Sequence, residues 1–311
     1  MITRWFPFPL LLFALNGHAQ ITITSSAEAK PREVAPYDST RNYLGKDYAQ
    51  YVGQEFYIIP LAESLRKYGF EGFVLECRKT SITDNSNVYA CCSSFNSKYE
   101  ALAGKYFKVL EIIESAELGK PCLKLQIKDS GQIVYFKYDS RFEMNFPFLV
   151  VGYFEKQKSL YAGKEVLIRP FPVIEGLKQK RTRNIETGVD IAIDKATYYK
   201  CVDLTIDEEN FEPALLCVTA SGEKFLWALR NKDVGIPRLM TKEEAEAYRK
   251  KFGDENWKVI LDEKVRVGMT EEMALLSWGQ PEKINRSSTG DQWVYKGQFL
   301  YFSAGKLTAF N

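Results

Sequence analysis

Two stretches 110 residues apart carry one pattern: Tyr51-Val-Gly53-Gln-Glu55-Phe-Tyr-Ile58-Ile-Pro60 and Tyr161-Ala-Gly163-Lys-Glu165-Val-Leu-Ile168-Arg-Pro170, with five identical positions. The likeness continues downstream, where Lys105 to Glu111 resembles Thr197 to Asp203 and Leu125 to Tyr135 resembles Leu216 to Trp227. A period near 100 residues is too long for a solenoid unit and reads as a small domain present twice.

Within each copy, short apolar or alternating runs are broken by Gly, Asn, Asp and Ser, the signature of short strands. In the first copy these are Phe56 to Leu61, Phe73 to Cys77, Tyr106 to Ile113, Leu123 to Ile127 and Ile133 to Tyr138. Ser130-Gly131 and Ser221-Gly222 lie where hairpins turn, with Gly free to take positive φ. Five strands that must hide their edges predict a small closed unit. The expected fold is therefore mainly β with short helices: two duplicated, small β-barrel-like and SH3-like domains at 47–158 and 159–253, then a small α+β tail at 254–311. Helices are expected at 150–161 and at 242–252, the latter opened by the capping box Thr241-Lys-Glu-Glu244 and closed by Gly253.

The copies differ in length, since Tyr51 to Val109 spans 58 positions and Tyr161 to Cys201 only 40. The surplus in the first is a polar loop from Thr80 to Ser94 with the adjacent pair Cys91-Cys92. Inserted loops often carry function, which makes Asn85, Asn87 and Tyr89 candidate contact residues.

The N-terminus reads as a secretory leader: Arg4, an apolar run from Trp5 to Leu15, then Gly17 and Ala19 as small residues before a cut ahead of Gln20. Eleven apolar residues are too few to span a bilayer, which needs about 20. No transmembrane span is expected, nor a lipid anchor, because no cysteine lies near the cut. Residues 20–46, rich in Ser, Thr, Pro and charge, read as a polar linker. The expected location is periplasmic or secreted. Lys plus Arg number 42 against 40 acids, a balance that gives no pull toward nucleic acid.

Export makes disulfides available to the six cysteines, Cys77, Cys91, Cys92, Cys122, Cys201 and Cys217. Read across the repeat, Cys201 falls opposite Val109 and Cys217 opposite Gln126, so both are absent together from the first copy. Paired absence on consecutive strands predicts a Cys201–Cys217 bond. Cys77 with Cys91 or Cys92 is the second expectation, leaving Cys122 the remaining partner.

The C-terminal segment changes character. Val267-Gly268-Met269-Thr270 leads into a short helix that stops at Trp278-Gly279-Gln-Pro281, and Gln292 to Tyr295, Phe299 to Phe302 and Leu307 to Phe310 follow as a meander. Gly268, Met269, Thr270, Gly279, Pro281, Trp293, Tyr295, Tyr301, Phe302, Gly305 and Leu307 together resemble the SmpA/OmlA (BamE-like) family of bacterial envelope domains. The resemblance covers roughly 45 residues and implies a small α+β fold that acts through protein contacts without catalysis.

The only histidine, His18, lies in the leader. Ser-His, Cys-His and His-metal chemistry are thereby excluded from the mature chain, and no phosphate-binding Gly-rich fingerprint is present. Carboxylate chemistry needs only two acids about 5 to 10 Å apart, with Asp190, Asp194, Asp203 and Glu111 as candidates. The acidic run Asp207-Glu208-Glu209-Asn210 lacks the spacing of a calcium loop. Lys178, Lys180, Arg181 and Arg183 form a basic run suited to an anionic glycan. The expectation is an exported, non-catalytic protein without cofactor or metal that binds another envelope protein. A glycan or cell-wall ligand is the alternative, and a carboxylate-dependent hydrolase a distant third.

Overall fold

The computed structural model describes residues 35–78, 85–93, 95–114, 120–170, 181–229 and 236–311. Along them run β1 (Glu55–Ile58), α1 (Glu63–Arg66), β2 (Phe73–Val74), β3 (Cys91–Ser93), β4 (Asn96–Ser97), α2 (Tyr99–Leu102), β5 (Tyr106–Ile113), β6 (Cys122–Ile127), β7 (Ile133–Lys137), β8 (Phe148–Val150) and α3 (Val151–Tyr161). Then come β9 (Glu165–Ile168), β10 (Tyr198–Asp207), β11 (Glu212–Val218), β12 (Lys224–Ala228), β13 (Leu239–Thr241), α4 (Lys242–Phe252), α5 (Asp254–Leu261) and α6 (Glu271–Trp278). Four strands end the chain: β14 (Lys283–Ser287), β15 (Gly290–Tyr295), β16 (Gln298–Ser303) and β17 (Lys306–Phe310).

The strands form antiparallel sheets ordered β2-β7-β6-β5-β1-β8, β12-β11-β10-β9-β13 and β14-β15-β16-β17, with β3-β4 as a small hairpin. Leaving β2 aside, the first two sheets share their order and their register. Phe56 pairs with Phe107 and Val150, and Val166 pairs with Tyr199 and Thr241. A bulge between Val109 and Glu111 recurs between Cys201 and Asp203. Gly53 (φ +82°) donates to the Val109 carbonyl and Gly163 (φ +79°) to that of Cys201, each at 2.9 Å. Both turns need positive φ, which is why glycine stands at both. The registers also correct the expected alignment: Cys217 corresponds to Leu125, not Gln126.

Among the described residues neither sheet closes, so open sheets stand in place of the expected barrels. The first ends on β2 and β8 and the second on β12 and β13, with no ladder between those ends. The edges are protected differently: β2, β8 and β13 are two or three residues long, and β8 and β13 run directly into helices.

The first core is aromatic, with ring centroids 4.8 Å apart for Phe56 and Phe148, 5.1 Å for Phe73 and Phe136 and 5.0 Å for Phe136 and Phe148. Each such ring, once buried, contributes on the order of 1.5–3 kcal/mol. The end of the expected polar linker belongs to this core. Leu44 is buried and its N–H donates to the Tyr51 hydroxyl at 2.8 Å, while that hydroxyl donates to the Asn42 carbonyl at 2.9 Å. Hydrophobic burial outweighs the polar composition from Tyr37 to Leu44; the earlier part of the linker lies outside the described residues.

Helix α3 runs through the expected domain boundary at 158/159. Tyr153 lies in the first core and Tyr161 in the second, Phe154 borders both, and Lys158 pairs with Asp203 of β10 at 2.9 Å. Helix α4 has the expected capping box, Thr241 Oγ1 accepting from Glu244 N–H and Glu244 Oε2 from Thr241 N–H. Helix α5 was not expected. Trp257 and Ile260 of α5 and Leu276 of α6 share a core with Trp293, Leu300 and Phe302, and also with Leu167 and Met240 of the second sheet. The C-terminal meander is therefore packed onto that sheet, not separate from it, and Pro36–Asn311 is one unit. Among the described residues no helix is long and apolar enough to cross a membrane.

One buried cation joins these parts. Arg169, 1% exposed, donates to the carbonyls of Leu276 at 2.7 Å and Ile260 at 2.8 Å, near the C-terminal ends of α6 and α5. Burial pulls its pKa down to about 10, so it stays charged at neutral pH. Just past β7, Asp139, 5% exposed, accepts from Arg141 and lies 2.6 Å from Lys120, which together hold its carboxyl well below the usual range.

Arg169→Ala should strand the Leu276 carbonyl, remove one of the two donors to the Ile260 carbonyl and lower unfolding stability by about 1–3 kcal/mol; a urea midpoint at pH 7 within error of the parent's would show that the contact carries no load. Asp139 has a depressed folded pKa, so its contribution is present above the unfolded value near 3.9 and disappears as pH falls through the folded value. The stability of Asp139→Asn should accordingly depend less steeply on pH below about 4 than the parent's does. Denaturant titrations at stepped pH with equal slopes would contradict this.

Candidate functional site

The cysteines do not pair as the repeat predicts. Cys77 is bonded to Cys122 and Cys91 to its neighbour Cys92, whereas Cys201 and Cys217 remain buried thiols directly opposite each other on β10 and β11. Cys201 donates to the Asp203 carbonyl at 3.5 Å. The hydrogen bond to Cys201, together with burial, pushes the Cys217 thiol up. They occupy the places of Val109 and Leu125 and act as small apolar side chains.

In the described part of the inserted loop, residues 85–93, Asn87 and Tyr89 brace the interior. Asn87 is 3% exposed and its amide serves both the N–H and the carbonyl of Glu76, at 2.8 and 2.9 Å. Tyr89 is buried with its hydroxyl on Gln132 at 3.1 Å. Only Asn85 of the three candidate contact residues is exposed. An amide that substitutes for a backbone partner looks, in sequence, like any loop asparagine.

Of the basic run, Arg181 and Arg183 both pair with Asp190, at 2.7 and 3.3 Å, which cancels part of its charge; Lys178 and Lys180 lie outside the described residues. The carboxylate candidates are also engaged. Asp203 holds Lys158, Asp194 accepts from Ala196 and Thr197 in a turn, and Glu111 faces Lys124. Asp207 closes its own turn onto Glu209 and Asn210.

What remains open is the outward face of the C-terminal sheet. Its register places Ile284, Trp293, Leu300 and Phe310 in one row, with Trp293 and Leu300 buried in the core. By strand alternation, the next row, Asn285, Gln292, Tyr301 and Ala309, points away from it. Val294 and Phe299 pair in the outward row beyond. Three strands are bridged at the surface: the Asn285 amide donates to Gln292 Oε1 at 2.9 Å, and the Gln292 amide donates to the Tyr301 hydroxyl at 3.2 Å. These groups are ordered by the chain itself, and among the described residues the Asn285 side-chain oxygen is left as an acceptor and the Tyr301 hydroxyl proton as a donor.

A shallow groove of about 350 Å3 lies along this row. Ser287, Thr289, Ser303 and Thr308 add hydroxyls to it, and Arg286 and Asp291 face each other at 3.7 Å. Gly290 permits the close approach of β15 to β16, since a Cβ there would collide with the Phe302 carbonyl. The alternation of Tyr301 against Leu300 and Phe302 is the signal in the sequence that marks Tyr301 as outward-facing. No protein-family model, curated protein or solved structure matches the chain.

In native protein, iodoacetamide should leave Cys201 and Cys217 unmodified, and in denaturant without reductant it should add two groups per chain. Intact mass decides this, and a chain that takes up none even when unfolded would mean that the two are oxidised to each other.

Proposed function

We propose that the chain is an exported, non-catalytic binding protein, periplasmic or secreted and without a lipid anchor, whose contact face is the outward side of β14–β17. The ligand class best matched to that face is a neutral, hydroxyl-rich glycan. The observation that carries this is the amide–amide–phenol row within a groove that adds four hydroxyls and one ion pair, Arg286 with Asp291, whose charges offset each other. Sugar hydroxyls both donate and accept, so they complement neutral amides and hydroxyls, and a tyrosine ring supplies flat apolar surface with a polar tip. Two disulfides fit an oxidising compartment.

Binding of another envelope protein is the second reading. The partly exposed aromatics Phe299 and Tyr301 favour it, because tyrosine within a polar rim is common among residues that dominate protein interfaces, as does the SmpA/OmlA-like pattern. On the same reading, the first two sheets are copies of one duplicated unit, supported by their common register and bulge.

Affinity electrophoresis of the mature chain through gels containing soluble neutral polysaccharide, and sedimentation with purified peptidoglycan, test the ligand class. The parent should be retarded or pelleted, and Tyr301→Ala and Gln292→Ala should each weaken binding about tenfold, equivalent to about 1.4 kcal/mol. Absence of binding to every polysaccharide, with a photo-crosslinker at position 301 capturing a protein instead, would replace the glycan by the protein partner.

A further inference from the structure

A second recess, independent of the outward face, opens where the second sheet meets the C-terminal helices. It measures about 280 Å3 and is lined by Ile236, Glu263, Trp278, Tyr295, Lys296 and Gln298. Trp278 and Tyr295 form a corner, their rings 5.4 Å apart and nearly perpendicular at 86°. Both are pinned by their polar atoms: Trp278 Nε1 donates to the Glu263 carbonyl and the Tyr295 hydroxyl to the Gly279 carbonyl, each at 2.9 Å. With those atoms engaged inside the protein, the two residues offer ring surface to the recess.

The charges are unequal. The Glu263 carboxylate is held by Arg238 through both terminal nitrogens and lies 3.9 Å from Arg169, so two cations already face it. Lys296, exposed on the β15–β16 turn, forms no ion pair among the described residues. Glu263 itself stands at φ +55°, a left-handed conformation that glycine would take without strain. A side chain kept there, against that cost, fixes the carboxylate between the arginines and the carbonyl against Trp278. The recess thus combines a rigid aromatic corner, a neutralised acid and one uncommitted ammonium.

We propose that this recess binds a small carboxylate carried on an apolar body, the apolar part against Trp278 and Tyr295 and the carboxylate toward Lys296. Its volume suits one large side chain, close to the lower end of small-molecule sites. A free aromatic acid and the last residue of a peptide present the same chemistry. A ligand of about 15 heavy atoms at drug-like efficiency should bind with Kd on the order of 1 mM.

The test uses the mature chain labelled with 15N, with its indole signals assigned through the backbone so that no tryptophan variant is needed. Titration with N-acetylphenylalanine should move the Trp278 indole signal and leave those of Trp227 and Trp293 in place. N-acetylphenylalanine amide should not reproduce the shift. Lys296→Gln, a change at an exposed turn, should weaken binding at least tenfold, and Lys306→Gln should leave it unaltered. Tighter binding of Gly-Gly-Phe than of phenylacetate would assign the site to peptide ends, and the reverse order to free acids; either supports the site. No movement of Trp278 at roughly ten times the expected Kd, equal binding of the amide, or no effect of Lys296→Gln would overturn it. Because the glycan test reads Tyr301 and this one Trp278, one can fail without the other.

Discussion

Arg169 is the contact on which the joining of the second sheet to the C-terminal helices depends. The end of α6 would otherwise leave the Leu276 carbonyl without this donor and the end of α5 would rest on the Glu263 N–H alone, each end carrying the equivalent of about half a negative charge. A guanidinium placed between them donates to both, and Glu263 adds a carboxylate at 3.9 Å. Those partners offset the cost of removing the cation from water, a cost that isolated burial would not recover. The matching position in the first sheet is Ile59, which packs against an apolar core. One change within the shared Ile-x-Pro pattern thus distinguishes a sheet that ends its own core from one that anchors helices.

The same economy of parts appears at the helices. Tyr51 closes the 3-10 segment Gly45–Tyr51 ahead of Gly53, Tyr161 closes α3 ahead of Gly163, and Phe252 closes α4 ahead of Gly253. In each case an aromatic residue enters a core as the chain turns through a positive-φ glycine. Helix α3 serves two cores, and α4 packs beside β9 and β13 while contributing Phe252 to the core it shares with α5.

What sequence revealed and what it concealed follow from the range of the forces involved. Local signals were legible: the caps at Thr241 and Thr270, the glycine turns, and the alternation that placed β5, β6 and β7. Non-local ones were not. Closure of a sheet is decided by its edges, and short strands read alike in a barrel and in an open sheet. Helix α5 is only two turns long and follows a glycine that already ends α4, so its Trp257-Ile260-Leu261 stripe is too short to stand out in sequence. Strand β14 is exposed at all five positions and therefore shows no alternation. Cysteine number does not define connectivity, and a cysteine pair on adjacent strands fits a buried apolar site as well as a bond. The candidate site was visible only as a row of residues with fold roles, because its function depends on which side of the sheet is covered.

That dependence separates the two partly open sheet faces. On the first sheet, Glu55 pairs with Lys128 and Glu111 with Lys124, so its exposed polar groups are ions that neutralise one another and are strongly hydrated. On the last sheet, the row from Asn285 to Tyr301 is neutral, already aligned, and still holds a donor and an acceptor. Displacing water from neutral amides and hydroxyls costs less than displacing it from ions, and the loss is recovered when a ligand supplies matching groups. Alignment before binding also reduces the entropy lost on association. The last sheet carries one ion pair as well, Arg286 with Asp291 at 3.7 Å, and it is the neutral row beside that pair that matches a ligand able both to donate and to accept hydrogen bonds. On that physical difference rests the proposal that the outward side of β14–β17, and not the first sheet, is the face for ligand.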